Sequence, residues 1–305
     1  MVTGEMGKAI VGKEEVLKKI LAAIFADGHI LLEDYPGLAK TLIARSFSAV
    51  LGCDFKRIQF TPDLLPSDIT GSTVLNRKTN EFELRTGPLF TNILLADEVN
   101  RAPPKMQSAL LEAMQERQIT IDGRTHRLSP PFVVMATQNP IEYQGTYPLP
   151  EAQLDRFLIR IGIGYPSVEE EKEILRARRS RQKEGVDLSA VTDAEKLASV
   201  QAEVEKVHVS DEMDDYITEI VRSTRKHSHV ETGASPRGAV SLMKMGMAYA
   251  SIGGRDFVLP DDIKAVASPA LSHRIILKPD PWLRGVKSGE IVEEILKTVP
   301  VQKAK

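Results

Sequence analysis

LLEDYPGLAKT, residues 31–41, is the stretch on which the reading of this chain turns. Its apolar start has the length of a strand, and Lys40 opens a segment, residues 40–51, with apolar positions at helical spacing. A strand that turns through Pro36-Gly37 into a helix brings backbone N–H groups and the positive helix end to one point, a natural seat for an anion. The strict phosphate-loop pattern G-x-x-x-x-G-K-[ST] is not met, because Asp34 and Ala39 occupy the glycine positions. Gly37, Lys40 and Thr41 supply what that chemistry requires: Lys40 reaches the β- and γ-phosphates of a nucleotide, and the Thr41 hydroxyl binds Mg²⁺. Asp34 is tolerable because Asp enters positive φ more easily than most residues. Ala39 adds only a methyl group and suits a backbone that is already helical. Taken alone, the stretch is equally well a tight strand-to-helix turn.

Outward from it, strand-length apolar runs alternate with helical patterns. Residues 29–33, 55–60, 92–97, 132–138 and 157–161 read as five strands, several without strict alternation, as expected of a sheet covered on both faces. Residues 104–116 read as a further helix. The class is α/β with a mostly parallel sheet. Two insertions interrupt it. Residues 69–85 suggest a hairpin, and residues 117–128 form a stronger one around the favoured Asp122-Gly123 turn. Its polar flanks give little reason for burial, so it is expected to project into solvent. After residue 165 the expectation is helices and loops without a run of strands. Ser167 and Glu170 form a capping box that opens a charged helix, acidic at its start and basic at its end.

The 305 residues carry 40 Lys+Arg against 42 Asp+Glu, a formal charge of −2, which excludes a generally basic nucleic-acid coat. The single cysteine, Cys53, excludes an intrachain disulfide and a Cys-based zinc cage, and points to a reducing compartment. The apolar run at residues 20–32 is broken by Asp27 and Gly28, short of the ~18 residues of a membrane span. With no signal-peptide core at the start, a cytoplasmic chain is expected.

Fifty-seven residues after Lys40, an apolar strand ends in Asp97 and Glu98. Adjacent carboxylates there are costly unless paired, exposed or bound to metal. They are either a strand end emerging into solvent, or a site where Asp97 holds Mg²⁺, directly or through water, and Glu98 polarises an attacking water. The strand VVMATQNP ends in Gln138 and Asn139 at the crevice where such sheets bind ligands. Asn139 would orient water against the γ-phosphate, or is a turn residue before Pro140.

With these pieces in order, the chain resembles an AAA+ ATPase of the MoxR family. LLEDYPGLAKT resembles its Walker A, which implies nucleotide contact by residues Asp34, Tyr35, Pro36, Gly37, Leu38, Ala39, Lys40, Thr41 and Leu42. ADEVNRAPPKMQSALLEAMQE (96–116) resembles the Walker B segment, and ATQNP the sensor-one strand. EAQLDRF (151–157) resembles the arginine-finger segment, placing Arg156 in that role. GASPRGAV (233–240) resembles the sensor-two helix start, placing Arg237 there. On local grounds Arg156 is equally one half of a surface ion pair. Arg237 follows the Ser235-Pro236 cap, and a cation in that first turn opposes the macrodipole unless a phosphate lies near. Val11 and Gly12 border the adenine by resemblance alone. The two insertions match hairpins of the branch that also holds magnesium-chelatase subunits and MCM-type helicases.

The resemblance implies an AAA+ core over residues 1–166 and a helical linker and lid over 167–305. It implies ATP and Mg²⁺ as ligands and a homo-oligomeric, hexameric ring. It also implies a protein client that is remodelled or matured, often with a von Willebrand factor A-type partner. Two alternatives stay open: a motor on DNA, which the near-neutral charge disfavours and the basic residues of 117–128 keep alive, and a nucleotide-dependent scaffold with little turnover.

Overall fold

The computed structural model describes residues 1–140, 145–183 and 185–301. The strands are β1 (Ile30–Glu33), β2 (Phe55–Gln59), β3 (Gly71–Asn76), β4 (Glu81–Thr86), β5 (Ile93–Asp97), β6 (Gln118–Ile121), β7 (Arg124–Arg127), β8 (Val133–Gln138), β9 (Ile159–Ile161), β10 (Val230–Thr232) and β11 (Ile276–Leu277). Five of them form one sheet in the order β2–β5–β8–β1–β9, matching the five runs read from the sequence. β2 and β5 run parallel with Gln59 opposite Asp97, and β5 and β8 run parallel with Ala96 opposite Ala136. Ile93, Leu94, Leu95, Ala96, Val133, Val134, Met135 and Ala136 are all fully buried. Burial without alternation means both faces of these strands are covered, which explains their unbroken apolar text.

The chain forms two compact units: residues 1–17, 31–149 and 162–198, and residues 18–30, 150–161 and 199–305. In the first, the helix Lys40–Leu51 buries Ile43, Ala44, Phe47, Val50 and Leu51 along one stripe. Gly52 stops it in the left-handed region at φ 62°, where a Cβ would lie 2.3 Å from the Thr192 carbonyl oxygen. Glycine is therefore needed there on two counts, conformation and space. Cys53 follows, buried, and burial pushes its thiol up to about 11. Such a thiol is a small core residue rather than a nucleophile.

Both insertions are hairpins, but unlike ones. Every residue of β4 is exposed, Phe82 at 75%. β6 and β7 meet at Asp122 (φ 49°) and Gly123 (φ 76°), the positive-φ pair of a type I′ turn. The expectation that this hairpin projects wholly into solvent is corrected by Ile119, Ile121 and Leu128, all buried. Ile119 and Ile121 share one face by the period of two, and burying each stabilises by roughly 1.5–3 kcal/mol. Only the opposite face and the tip stay exposed. The helix Val168–Arg181 begins with the expected box: Ser167 N donates to Glu170 Oε2 at 2.6 Å, and Glu170 N to Ser167 Oγ at 3.3 Å.

The second unit holds the helices Asp211–Lys226, Pro236–Ile252, Pro260–Leu271 and Ser288–Thr298. Met213, Tyr216, Ile217, Ile220, Val221 and Thr224 are buried along the first of these, the spacing of one helical face. One addition to the sequence reading is an antiparallel ribbon, β10 against β11, with Val230 opposite Leu277. Its strands are three and two residues long, too short for alternation to register in sequence.

Candidate active site

The turn after β1 and the ends of β5 and β8 enclose a cleft of about 390 Å³, lined by residues 36–42, Asp97, Glu98, Thr137 and Asn139. The turn earns its shape at two positions. Gly37 has φ 83° with open space where a Cβ would stand. Ala39 has φ 53° and ψ 17° as the cap of the helix Lys40–Leu51. The expected helical backbone at Ala39 is thus corrected to a left-handed one, at a cost of about 1–2 kcal/mol for a non-glycine residue. Strained backbone held at a cleft is what a ligand-binding turn stores.

Asp34 needs correction too. It is not among the positive-φ residues. Its carboxylate, 8% exposed, accepts from Tyr35 N at 2.9 Å, Ile163 N at 2.7 Å and Gly164 N at 2.6 Å. A carboxylate that accepts from three amides ties the turn to residues 163–164. Tyr35 is exposed, with its ring stacked on Tyr165 at 5.9 Å. Lys40 Nζ donates to the Asp34 carbonyl and, at 3.2 Å, to the Tyr35 carbonyl. Two of its acceptors are therefore neutral carbonyls of its own turn, weaker partners for a cation than a phosphate.

On the opposite wall, one hydroxyl orders both acids. Thr137 Oγ1 donates to Asp97 Oδ1 at 2.6 Å and accepts from Glu98 N at 2.8 Å. The other Asp97 oxygen accepts from Arg57 Nη2 at 2.7 Å and Nε at 3.1 Å. Glu98 sits at φ 58°, with Oε2 3.0 Å from Arg101 Nε. Sequence reasoning missed Thr137 and Arg57. The available signals were the period of two, which puts Thr137 and Asn139 on one side, and the pairing of β2 with β5, which brings Arg57 beside Asp97. Asn139 is buried in the cleft wall.

Val11, Gly12, Asp34 and Tyr35 are not among the lining residues. Gly12 has φ 65°, and a Cβ there would lie 1.8 Å from the Glu170 carboxylate. Lys13 beside it donates to the Tyr165 carbonyl at 2.7 Å, so this box packs onto the start of the helix Val168–Arg181. Arg156 and Arg237 belong to the second unit. Arg237 lies in the first turn of the helix Pro236–Ile252 as expected, with Nη1 3.6 Å from Asp155 Oδ2.

The residues present fit a nucleoside triphosphate with a divalent cation. Consecutive backbone units and a helix start face the cleft beside one cation, two hydroxyls and two carboxylates, a hard-oxygen donor set suited to magnesium. Among the described residues no group of three or more His, Cys, Asp or Glu forms a metal cluster. No helix among the described residues is long and apolar enough to cross a membrane.

The chain is similar to known proteins along most of its length. Residues 29–159 match the ATPase family associated with various cellular activities (AAA), and residues 222–295 match the AAA lid domain. The uncharacterized protein YeaC of Bacillus subtilis (strain 168) is 50% identical over 98% of this chain and 94% of its own. Chaperone MoxR1 of Mycobacterium tuberculosis is 42% identical over 97% of this chain and 80% of its own. A crystal structure from Cytophaga hutchinsonii, of a protein assigned as an ATPase, superposes with a TM-score of 0.91 at 44% identity, covering 99% of this chain and 94% of that one.

Proposed function

The chain belongs to the MoxR family of AAA+ ATPases, and on that premise we propose that it binds ATP with Mg²⁺ over residues 36–42 and hydrolyses the β–γ phosphoanhydride bond. The observation that carries this reading is the convergence of the Lys40 turn with Asp97, Glu98 and Asn139 on one cleft. Lys40 turns from its own carbonyls to the β- and γ-phosphates, and the backbone N–H groups of the turn cradle them. Thr41 and Asp97 hold the magnesium ion, which neutralises charge on the phosphates. Glu98, fixed through its N–H by Thr137 and braced by Arg101, takes the proton of the attacking water. Asn139 orients that water. Arg156 stabilises the transferring phosphoryl group of a neighbouring subunit, and Arg237 that of its own. A finger on one subunit that meets a pocket on the next makes a head-to-tail interface, which closes into a ring, a hexamer by resemblance.

The ring remodels or matures a protein client, with a von Willebrand factor A-type partner, in the cytoplasm. The division into a core over 1–166 and a linker with lid over 167–305 belongs to the same reading. The β6–β7 hairpin presents its exposed face to the client. Because Ile119 and Ile121 are buried, the informative variant changes Arg124 and Arg127 to Ser and leaves the hairpin intact. Basal hydrolysis should persist while stimulation by client is lost; unchanged stimulation rejects the assignment. The same two exposed arginines favour DNA as the second reading, and stimulation of hydrolysis by single-stranded DNA is its signature.

Lys40→Ala should abolish binding of a fluorescent ATP analogue. Glu98→Gln should keep that binding and lower phosphate release by about 10²–10⁴, the worth of a general base. Equal affinity in Lys40→Ala refutes the phosphate site, normal turnover in Glu98→Gln removes the base, and near-zero turnover in the parent leaves a scaffold.

A further inference from the structure

Beside the first turn of the helix Pro236–Ile252 lies a buried ionic node that the proposed reaction does not use. Arg274 has a side chain only 3% exposed. Its Nε donates to Asp155 Oδ1 at 2.7 Å. Nη2 donates to the carbonyls of Phe157 at 2.8 Å and Asp155 at 3.2 Å and to Ser241 Oγ at 3.0 Å. Nη1 donates to the Leu158 carbonyl at 3.2 Å, to the Ala270 carbonyl and to His273 Nε2 at 2.7 Å. Burial and the neighbouring guanidinium hold His273 well below its ordinary pKa, and a neutral imidazole with its proton on Nδ1 can accept that bond, Nε2 also lying 3.1 Å from the Phe157 carbonyl oxygen. Every donor of the guanidinium fork is thus engaged.

The pattern of acceptors is informative. Three of them are backbone carbonyls at residues 155, 157 and 158, and a fourth is the Asp155 carboxylate. Arg274 therefore grips the chain on both sides of Arg156. The second carboxylate oxygen, Asp155 Oδ2, faces Arg237 Nη1 at 3.6 Å. Gly238, next along the helix, leaves room for the Arg274 stem, since a Cβ there would stand 3.3 Å from Arg274 Cδ. Asp155 thus faces Arg237 directly, and Arg274 holds the backbone on either side of Arg156.

We propose that Asp155 and Arg274 form a positioning node: Arg274 sets the turn that aims Arg156, and Asp155 holds Arg237 until a nucleotide phosphate replaces it. The node rests on the reading of Arg156 and Arg237 given above. It links the two because the carboxylate that Arg237 leaves is the one that Arg274 keeps. Lysine cannot replace Arg274, since an ammonium offers no planar fork to several carbonyls at once.

Three measurements on the full chain test it. Asp155→Asn keeps an acceptor for Arg274 Nε but removes the charge holding Arg237. KM for ATP should fall about two- to fivefold, the scale of a partly exposed ion pair, and Asp155→Asn should not move KM when Arg237 is already Ala. A KM that rises or stays, or the same change in both backgrounds, overturns the hold on Arg237. Arg274→Lys should lower kcat by about 10², the scale of a catalytic group misplaced by an ångström, with the Kd of a fluorescent ATP analogue within about twofold. Adding Lys40→Ala subunits, which carry an intact finger, should restore its turnover. A normal kcat, a Kd weakened in step with kcat, or no gain on mixing overturns the aiming role. This arm decides should Asp155→Asn fail to fold, as a melting scan reports. Arg156→Ala and Arg237→Ala test the underlying reading: normal turnover in either removes the arginine roles themselves, whatever the node variants do.

Discussion

Asp97 and Asp155 each meet an arginine at 2.7 Å, yet the two arginines sit in different surroundings. Arg57 is 47% exposed, and its other side-chain contact is Gln59 at 2.5 Å. Arg274 is 3% exposed and spends its remaining donors on carbonyls, a hydroxyl and an imidazole. An exposed pair gains little over two hydrated charges and is readily exchanged. A buried pair survives only when every polar atom is satisfied, and losing one partner strands a charge. The carboxylates do not follow this order, Asp97 being 12% and Asp155 24% exposed, so the contrast lies in the arginines. An open arginine suits the cation site proposed at Asp97, and a buried one suits the grip proposed on the turn around Arg156.

The largest effect that bears on this contrast is expected at the residue the buried pair flanks. Arg156→Ala should lower hydrolysis by about 10³–10⁵, the range for an arginine supplied in trans. Mixing it with Lys40→Ala should recover activity, because each subunit lends what the other lacks. Specific activity independent of protein concentration, together with a mixture as inactive as its parts, would show that Arg156 acts on no neighbour. Next comes Arg274→Ala, expected to cost about 3–5 kcal/mol of stability, as breaking a buried pair does. Calorimetry that finds no fall in Tm would make the node dispensable and erase the contrast. Smallest is Arg57→Ala. It should change stability by less than about 1 kcal/mol, since the pair is more than a third exposed on the arginine side. A loss as large as that of Arg274→Ala would mean that both pairs are structural.

Much of this was legible without coordinates. The five strands, the two hairpins, the Lys40 turn and the Ser167–Glu170 box follow from local rules: period, turn chemistry and capping act over a few residues, so a linear text records them. The order β2–β5–β8–β1–β9 is not local. Strand β2 is followed in sequence by a hairpin but lies beside β5, and this pairing delivers Arg57 to Asp97. Ala39 shows the limit within the turn itself. Its identity favours a right-handed helical backbone, and the turn into the helix takes a left-handed one.

The sequence by itself determined which chemistry is available: a lysine and a hydroxyl after a strand, two carboxylates at the end of another, an amide at the end of a third. Each depends on residue type and short spacing, and the Asp122-Gly123 turn and the apolar strands depend on the same. Only the tertiary structure decided how those groups are held. Asp34 went to the amides of residues 163 and 164 rather than to the cleft, Thr137 became the bridge between Asp97 and Glu98, and Arg274 closed on a turn more than a hundred residues earlier. The reason is that a buried polar group must find its partner wherever the fold supplies one. That partner is fixed by the packing of distant segments, which no window of sequence contains.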